Sequence, residues 1–444
     1  MKILLSLILL FTLTACTLGE RRPNQTEPST EEMPATATTA AVNMPASTPT
    51  DATTAKGNGT RKAKSQPTGS SATPIAQASG TPGDLRGIYV DSNAFPISNS
   101  DETAYSASLN VPGVDGLVLV FGWDGLEPSM GQYQWNTLDQ WVSTAVPSGK
   151  KVELSIRADY HTPSWLFQPA PGGGGAKALN FSFTRKPEDT TCLSETLAAP
   201  WDSAFLTQWD AMLAAVSAHL KSTGTYNSVT LLRLTGINKD SDELHLPSQT
   251  SGAACVTNAV NIWQQAGYRP SLLLQGWDGI TNSFKNNFPD KSFSVANIAG
   301  SPPFPGIAEN GSMLKGTSQD QNLPLLTLAS KKFPGHLVIQ NNSLYPDVPA
   351  QSETVQAVQS LGTMIAFQTN EDIRGQGASC GVPTGGDRTT PCTSATFLNE
   401  LQTGIYPLGK SNSLRAQYIE VFALNVNALP DAIQQAHNEL LGQP

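Results

Sequence analysis

Strand–helix alternation repeated eight times predicts a (β/α)8 barrel for the part of this 444-residue chain that follows residue 84. Three observations carry the prediction. Residues 116–167 hold two buried-strand patterns, VLVF and VELSI, with Leu138, Trp141, Val142 and Ala145 at helical spacing between them, which makes one β-α-β unit. Eight short apolar runs follow one another between Gly87 and Phe422, most of them separated by helical segments. No G-x-G-x-x-G follows a strand, which weakens an open dinucleotide-binding sheet. A count of seven or nine strands, or an open doubly wound sheet, is the alternative.

The elements before the barrel come first in the chain. In MKILLSLILLFTLTAC, Lys2 is the charged start, residues 3–13 the apolar run and Leu13-Thr14-Ala15-Cys16 a cleavage region, the layout of a secretion signal. The run is too short to remain as a membrane-spanning helix. The L-T-A-C ending resembles a bacterial lipobox. That resemblance implies a signal peptide over 1–16, a lipidated Cys16 and export to the cell envelope, on the outer face of the cytoplasmic membrane or on the outer membrane. An ordinary signal peptide is the alternative. Residues 17–84 contain no Phe, Trp or Tyr, are largely Thr, Ala, Ser and Pro, and carry six cations against six acids. Such a segment buries too little to offset its ordering entropy, so a disordered tether is predicted, with a root-mean-square span of roughly 45 Å.

All eight Trp and all nine Tyr lie in residues 85–444. The predicted strands run over 87–90, 117–121, 152–156, 229–234, 293–298, 336–340, 363–367 and 418–422. Each is an apolar run of strand length. Helical spacing fills 205–220 (Phe205, Trp209, Leu213, Val216, Leu220), 254–265, 272–288, 323–333 and 352–361, and a closing helix is predicted over 431–441. Phe288-Pro289-Asp290 and Phe333-Pro334-Gly335 are phrases that end helices. The barrel region keeps 20 Lys and Arg against 30 Asp and Glu, which argues against a nucleic-acid partner.

With Cys16 lipidated, four cysteines remain. An even number in an exported chain suggests two disulfides, and of three pairings Cys192–Cys255 with Cys380–Cys392 is favoured. No C-x-x-C or paired-His spacing points to a metal. No cofactor is expected.

Polar and aromatic residues crowd just after the second and third strands: Trp123, Asp124, Glu127, then Arg157, Asp159, Tyr160, His161 and Trp165. That is the ligand-binding edge of a parallel barrel. The wording W-D-G-L-E-P…G-Q-Y-x-W…L-D…G-K-K-V-x-L-S-I…P-S-W-L resembles the second and third strands of (β/α)8 glycoside hydrolases of the large retaining clan, clan A. The likeness is wording-specific over 116–167 and architectural over 85–444. It implies hydrolysis of an O-glycosidic bond in an oligo- or polysaccharide, with an acid/base after strand four and a nucleophile after strand seven.

After strand seven, TMIAFQTNEDI offers Glu371 as nucleophile, with Gln368 and Asn370 beside it as hydroxyl ligands. After strand four the clan pattern, Asn then Glu, meets Asn238, which is expected to bind substrate, followed by Lys239. The acids come later, Asp240, Asp242 and Glu243. Glu243 is expected as acid/base on a loop anchored by Leu244 and Leu246. Glu420 in YIEVF is a substrate contact, or, if buried lower, the partner of Arg157 or Arg233. Trp123, Tyr160 and Trp165 are expected to form a stacking wall. Arg157, His161, Asn341 and Asn342 are expected to bind hydroxyls. Glu127 reads as an organiser of its turn. Lys239 in the place of a glutamate motivates the alternative, a non-catalytic glycan-binding surface lipoprotein.

Overall fold

The computed structural model describes residues 84–92, 99–183, 191–239, 241–249, 255–297, 304–319, 321–345, 352–370 and 392–442. Within them eight parallel strands close into a barrel. They are β1 (Gly87–Asp91), β2 (Val114–Gly122), β3 (Lys151–Arg157), β4 (Val229–Arg233), β5 (Ser292–Asn297), β6 (Leu337–Leu344), β7 (Met364–Thr369) and β8 (Ala416–Phe422). Each pairs with its neighbours in chain order, and β1 closes on β8 from Gly87↔Tyr418 to Asp91↔Phe422. All eight predicted runs fall on these strands, with ends moved by at most four residues; Ile298 lies outside the described residues.

Helices follow the strands on the outside. Asn99–Ser108 and Asn136–Ala145 follow β1 and β2, and Ser203–Ser222 follows β3. Ala259–Gln265 and Pro270–Asn287 follow β4, Asn322–Lys332 follows β5 and Glu353–Leu361 follows β6. Ser394–Ile405 follows β7, and Ala423–Ala428 and Pro430–Leu441 follow β8. The helix expected over 254–265 begins at Ala259. Asn258 is its cap, with its side chain accepting from Asn261 N. Asp202 and Ser352 cap their helices in the same way, satisfying amides that have no partner in the first turn. Two hairpins also extend the connections: Leu179–Phe183 with Leu193–Leu197 between β3 and β4, and Phe304–Ile307 with Met313–Gln319 between β5 and β6.

The packing has an outer and an inner part. Helix faces and outward strand residues form one apolar shell that includes Trp123, Trp209, Trp263 and Trp277, all fully buried. A second, smaller cluster plugs the lower barrel: Leu85, Tyr89, Val118, Leu231, Val338, Ala366 and Tyr418. Tyr89 and Tyr418 pack with ring centroids 5.1 Å apart. Gly116 makes room for them, because a Cβ there would sit 2.8 Å from the Tyr89 ring. Side chains alternate along a strand, so the residues two places above this plug also point inward. There the lining changes. Barrel interiors are usually filled by branched aliphatics. This one carries Glu153, Ser155, Arg157, Arg233, Ser294, Gln340, Asn342, Gln368 and Glu420.

Candidate functional site

Arg233, the last residue of β4, organises the upper lumen. Its guanidinium is fully buried. It donates to Glu153 Oε1 at 2.9 Å and Gln340 Oε1 at 3.1 Å, and it also pairs with Asp242 and Glu420. Gln340 Nε2 donates to Glu420 Oε2 and to Asn342 Oδ1, both at 2.8 Å. Asn342 Nδ2 reaches Asp242 Oδ1 at 3.5 Å, which closes a ring of side chains around the barrel axis. Ser294 Oγ donates to Glu153 at 2.6 Å and Tyr418 Oη to Gln340 at 2.6 Å. Three acids thus share one guanidinium. Burial pushes the Glu420 carboxyl well above the usual carboxylate range; Arg233 pulls it down and Glu153 pushes it further up. Of the two cations expected for Glu420, Arg233 is the partner. Arg157 instead binds Asp159, with Nε 2.7 Å from Oδ2.

Beyond Arg233 the chain leaves the barrel wall and comes back. Leu234 N still bonds Ser294 O on β5, and Gly236 then turns the chain at φ +112°, a conformation that favours glycine. The return is made at Glu243, which bridges to Ala296 in parallel register, and Leu244 N bonds Ala296 O at 3.0 Å. Leu244 and Leu246 are buried and anchor the return. Partners in a parallel register share a face, and Ala296 shares the lumen face of Ser294. Glu243 therefore sits at the top of strand four on the lumen side, although seven described residues and Asp240 intervene between Arg233 and Asp242. Ser241 Oγ donates to Glu243 Oε2 at 3.1 Å. Asn238, expected to bind substrate, spends its side-chain amide on the backbone instead. Its Oδ1 accepts from Gly236 N and its Nδ2 donates to Glu243 O at 2.9 Å, so it ties the two ends of the excursion together.

The remaining expected site residues divide. Gln368 faces the mouth and donates to Asp91 Oδ2 at 2.7 Å. Asn370 ends the described part of β7's exit, and Glu371 lies outside the described residues. Tyr160 is 44% exposed, with Arg157 5.3 Å from its ring centre, so it offers a face at the rim. His161 Nδ1 is 3.1 Å from Asp124 Oδ1. Gly122, Asp124 and His161 border a cleft of about 630 Å3 that Gln134, Asn136 and Gln140 continue along the rim.

Trp123 and Trp165 do not form a stacking wall. Trp123 is 0% and Trp165 5% exposed, and their rings meet edge to face in the outer shell at 5.8 Å. Their indole N–H groups bond Glu127, one to its side chain and one to its carbonyl, both at 2.8 Å, and Glu127 Oε1 accepts from Gly131 N. Glu127 thus organises the turn. Asn341 points outward, toward Thr354 of the helix after β6; Asn342 takes the lumen side. Cys192 and Cys255 are joined by a disulfide. Cys392 is also disulfide-bonded, while Cys380 and Cys16 lie outside the described residues.

Asp91, Glu153, Gln340 and the central place of Asp242 were not singled out from the sequence. A period-two signal was available. Glu153, Ser155 and Arg157 alternate with Val152, Leu154 and Ile156, and Gln340 and Asn342 alternate with Ile339 and Asn341. Among the described residues no group of three His, Cys, Asp or Glu could hold a metal ion, and no helix is long and apolar enough to cross a membrane.

No protein-family model matches the chain, and no curated protein matches it. Among solved structures it is similar in chain path to the catalytic domain of β-amylase from Paenibacillus polymyxa, at 14% identity over 79% of this chain and 95% of that one, with a TM-score of 0.49. It is also similar to an intracellular xylanase from Thermoanaerobacterium saccharolyticum, at 12% identity over 65% and 74% of the chains and a TM-score of 0.38. A third is GH10 from Paenibacillus barcinonensis, at 11% identity over 78% and 85% and a TM-score of 0.41. Likeness of this degree adds nothing to the barrel already described.

Proposed function

We propose that the protein hydrolyses O-glycosidic bonds in an oligo- or polysaccharide at the mouth of the barrel, with retention. One observation carries the reading. After its excursion the chain brings Glu243 back to the top of strand four on the lumen face, above a lining of acids and amides. That lining suits hydroxyl groups, and a sugar ring is placed by hydrogen bonds of this kind. Glu243 donates a proton to the leaving oxygen. Glu371, which follows strand seven, attacks the anomeric carbon, and water then releases the sugar with Glu243 taking the proton back. Asn238 and Ser241 hold the Glu243 segment in place. Tyr160 provides an apolar face at the rim. Export and lipid attachment through Cys16, with residues 17–84 as a tether, belong to the same reading.

The test is a glycan screen with product analysis. Glu243→Gln and Glu371→Gln should each lower kcat by at least about a hundredfold, and proton NMR of the first product should show the anomeric configuration of the substrate. Full activity in both variants sinks the assignment. Binding without turnover in the wild type favours instead the non-catalytic glycan-binding lipoprotein, the reading that Lys239 in place of a glutamate suggests. Labelling of the wild type with a palmitate analogue that persists in Cys16→Ala rules out attachment through Cys16, and absence of labelling in the wild type rules out the lipid anchor.

A further inference from the structure

We propose that Asp91 touches the bound sugar directly and serves it as a hydrogen-bond donor; this rests on the reading of the mouth as a glycan site. Asp91 is the last residue of β1, on the edge where a barrel presents its reactive groups. Tyr89, two residues earlier, lies in the inner plug, so Asp91 points into the lumen one step higher. It is 8% exposed. Its Oδ2 accepts from Gln368 Nε2 of β7 at 2.7 Å.

The charged groups around Asp91 are Asp242 on the strand-four return, Arg233 on β4, Glu153 on β3 and Glu420 on β8. Three are acids. The one cation already serves Glu153, Asp242 and Glu420, and among the described residues no cation pairs with Asp91. Burial, with the charge of Asp242 added, pushes the Asp91 carboxyl up to about 7, against the pull of Arg233 and of the Ser92 backbone N–H. A protonated carboxyl keeps one oxygen as acceptor and turns the other into a donor. The acceptor oxygen takes the Gln368 amide, and the Ser92 backbone N–H also bonds the carboxyl. Asp242 and Glu243 offer acceptors to sugar hydroxyls, whereas the N–H groups of Arg233, Gln340 and Asn342 point at neighbouring oxygens of the ring. Ring and bridging oxygens of a glycan can only accept, and Asp91 supplies the group that meets them.

The experiment uses the full chain, labelled at the aspartate carboxyl carbon, as wild type and Asp91→Asn. Carbon NMR between pH 5 and 9 follows the resonance that the substitution removes. Calorimetry at pH 6 and pH 8 measures binding of maltohexaose, cellohexaose and xylohexaose. The expected result is a resonance that titrates near pH 7, wild-type affinity about tenfold weaker at pH 8 than at pH 6, and an Asp91→Asn affinity that does not change with pH, because the amide donates at both. A resonance that titrates below pH 5 overturns the proposal whatever binds. So does a pH dependence that survives in Asp91→Asn, which would leave Asp91 a purely structural partner of Gln368. If Asp91→Asn does not fold, wild-type affinity that is constant between pH 6 and pH 8 overturns it. If the resonance titrates near pH 7 but none of the three sugars binds, the glycan reading fails, and the proposal falls with it.

Discussion

Single residues decide how much charge the barrel can hold inside. Arg233 is the one guanidinium among Glu153, Asp242 and Glu420, so removing it leaves buried acids with no compensation. Arg233→Met should lower the unfolding free energy by about 3–5 kcal/mol, read from urea melts at pH 7; a loss under about 1 kcal/mol would mean that the ring relaxes without its centre. Asp91 makes a second prediction, this time about pH. Its folded value, about 7, is above the unfolded value of 3.8. Its contribution is therefore fully present below pH 3.8 and is lost as pH rises through about 7. The gap between the two values is worth about 4 kcal/mol at most. Wild-type stability should fall relative to Asp91→Asn between pH 4 and pH 8, and melts of both proteins across that range check it. Parallel curves would remove Asp91 as the source. The pairing of Arg233 with Glu420 was one of two expected from the sequence, whereas its hold on Glu153 and Asp242 and the role of Asp91 were not legible. A lone Asp at the end of YVD looks like any strand-ending acid until β7 is seen to place Gln368 against it.

At the level of elements, the strands were legible and the connections were not. Each strand is a run of apolar residues bounded by turn residues, a pattern local to five to nine residues. The hairpins and the strand-four return depend on partners far away in the chain, as when Glu243 meets Ala296 across 53 positions. The absence of an Asn-Glu pair after β4 was legible, and its physical explanation was not. The chain inserts an excursion closed by Asn238 before it delivers Glu243. The tryptophans show the opposite error. Position after a strand suggested a sugar-stacking role for Trp123 and Trp165, but two short helical turns, Trp123–Leu126 and Ser164–Phe167, swing them into the outer shell, where Glu127 takes their N–H groups. The excursion carries its own prediction. Asn238→Ala removes two hydrogen bonds and should cost about 1–3 kcal/mol. If Glu243 is the acid/base, kcat should drop by about tenfold or more while KM changes little. Asn238→Asp, which keeps the acceptor for Gly236 N, should recover part of the stability. An equal loss of kcat in control variants of matched stability would show that the tie has no special bearing on the site.

Across the whole molecule, the disulfide between Cys192 and Cys255 ties the hairpin in one connection to the stretch before the helices of the next. The 63-residue separation encloses the second strand of the first hairpin, the helix Ser203–Ser222, β4 and the entire excursion. The segment that holds Arg233, Asp242 and Glu243 therefore lies within a loop closed by the crosslink. Such a crosslink restricts the unfolded chain more than the folded one, by about 4 kcal/mol for a loop of this length in the chain-entropy model. Inside the loop, β4 is held by ladder bonds to β3 and β5 and by buried Leu231 and Leu232. The excursion has fewer supports, chiefly Asn238 and the Leu244 anchor. Loss of the crosslink should thus be felt in the excursion before it is felt in the barrel. Cys192→Ser with Cys255→Ser should keep the far-ultraviolet circular dichroism of the parent and lose about 2–4 kcal/mol of stability. Amide hydrogen exchange should speed up over 234–243 well ahead of β4 itself. Uniform acceleration over both, or none over the excursion, would place the crosslink outside the support of the site.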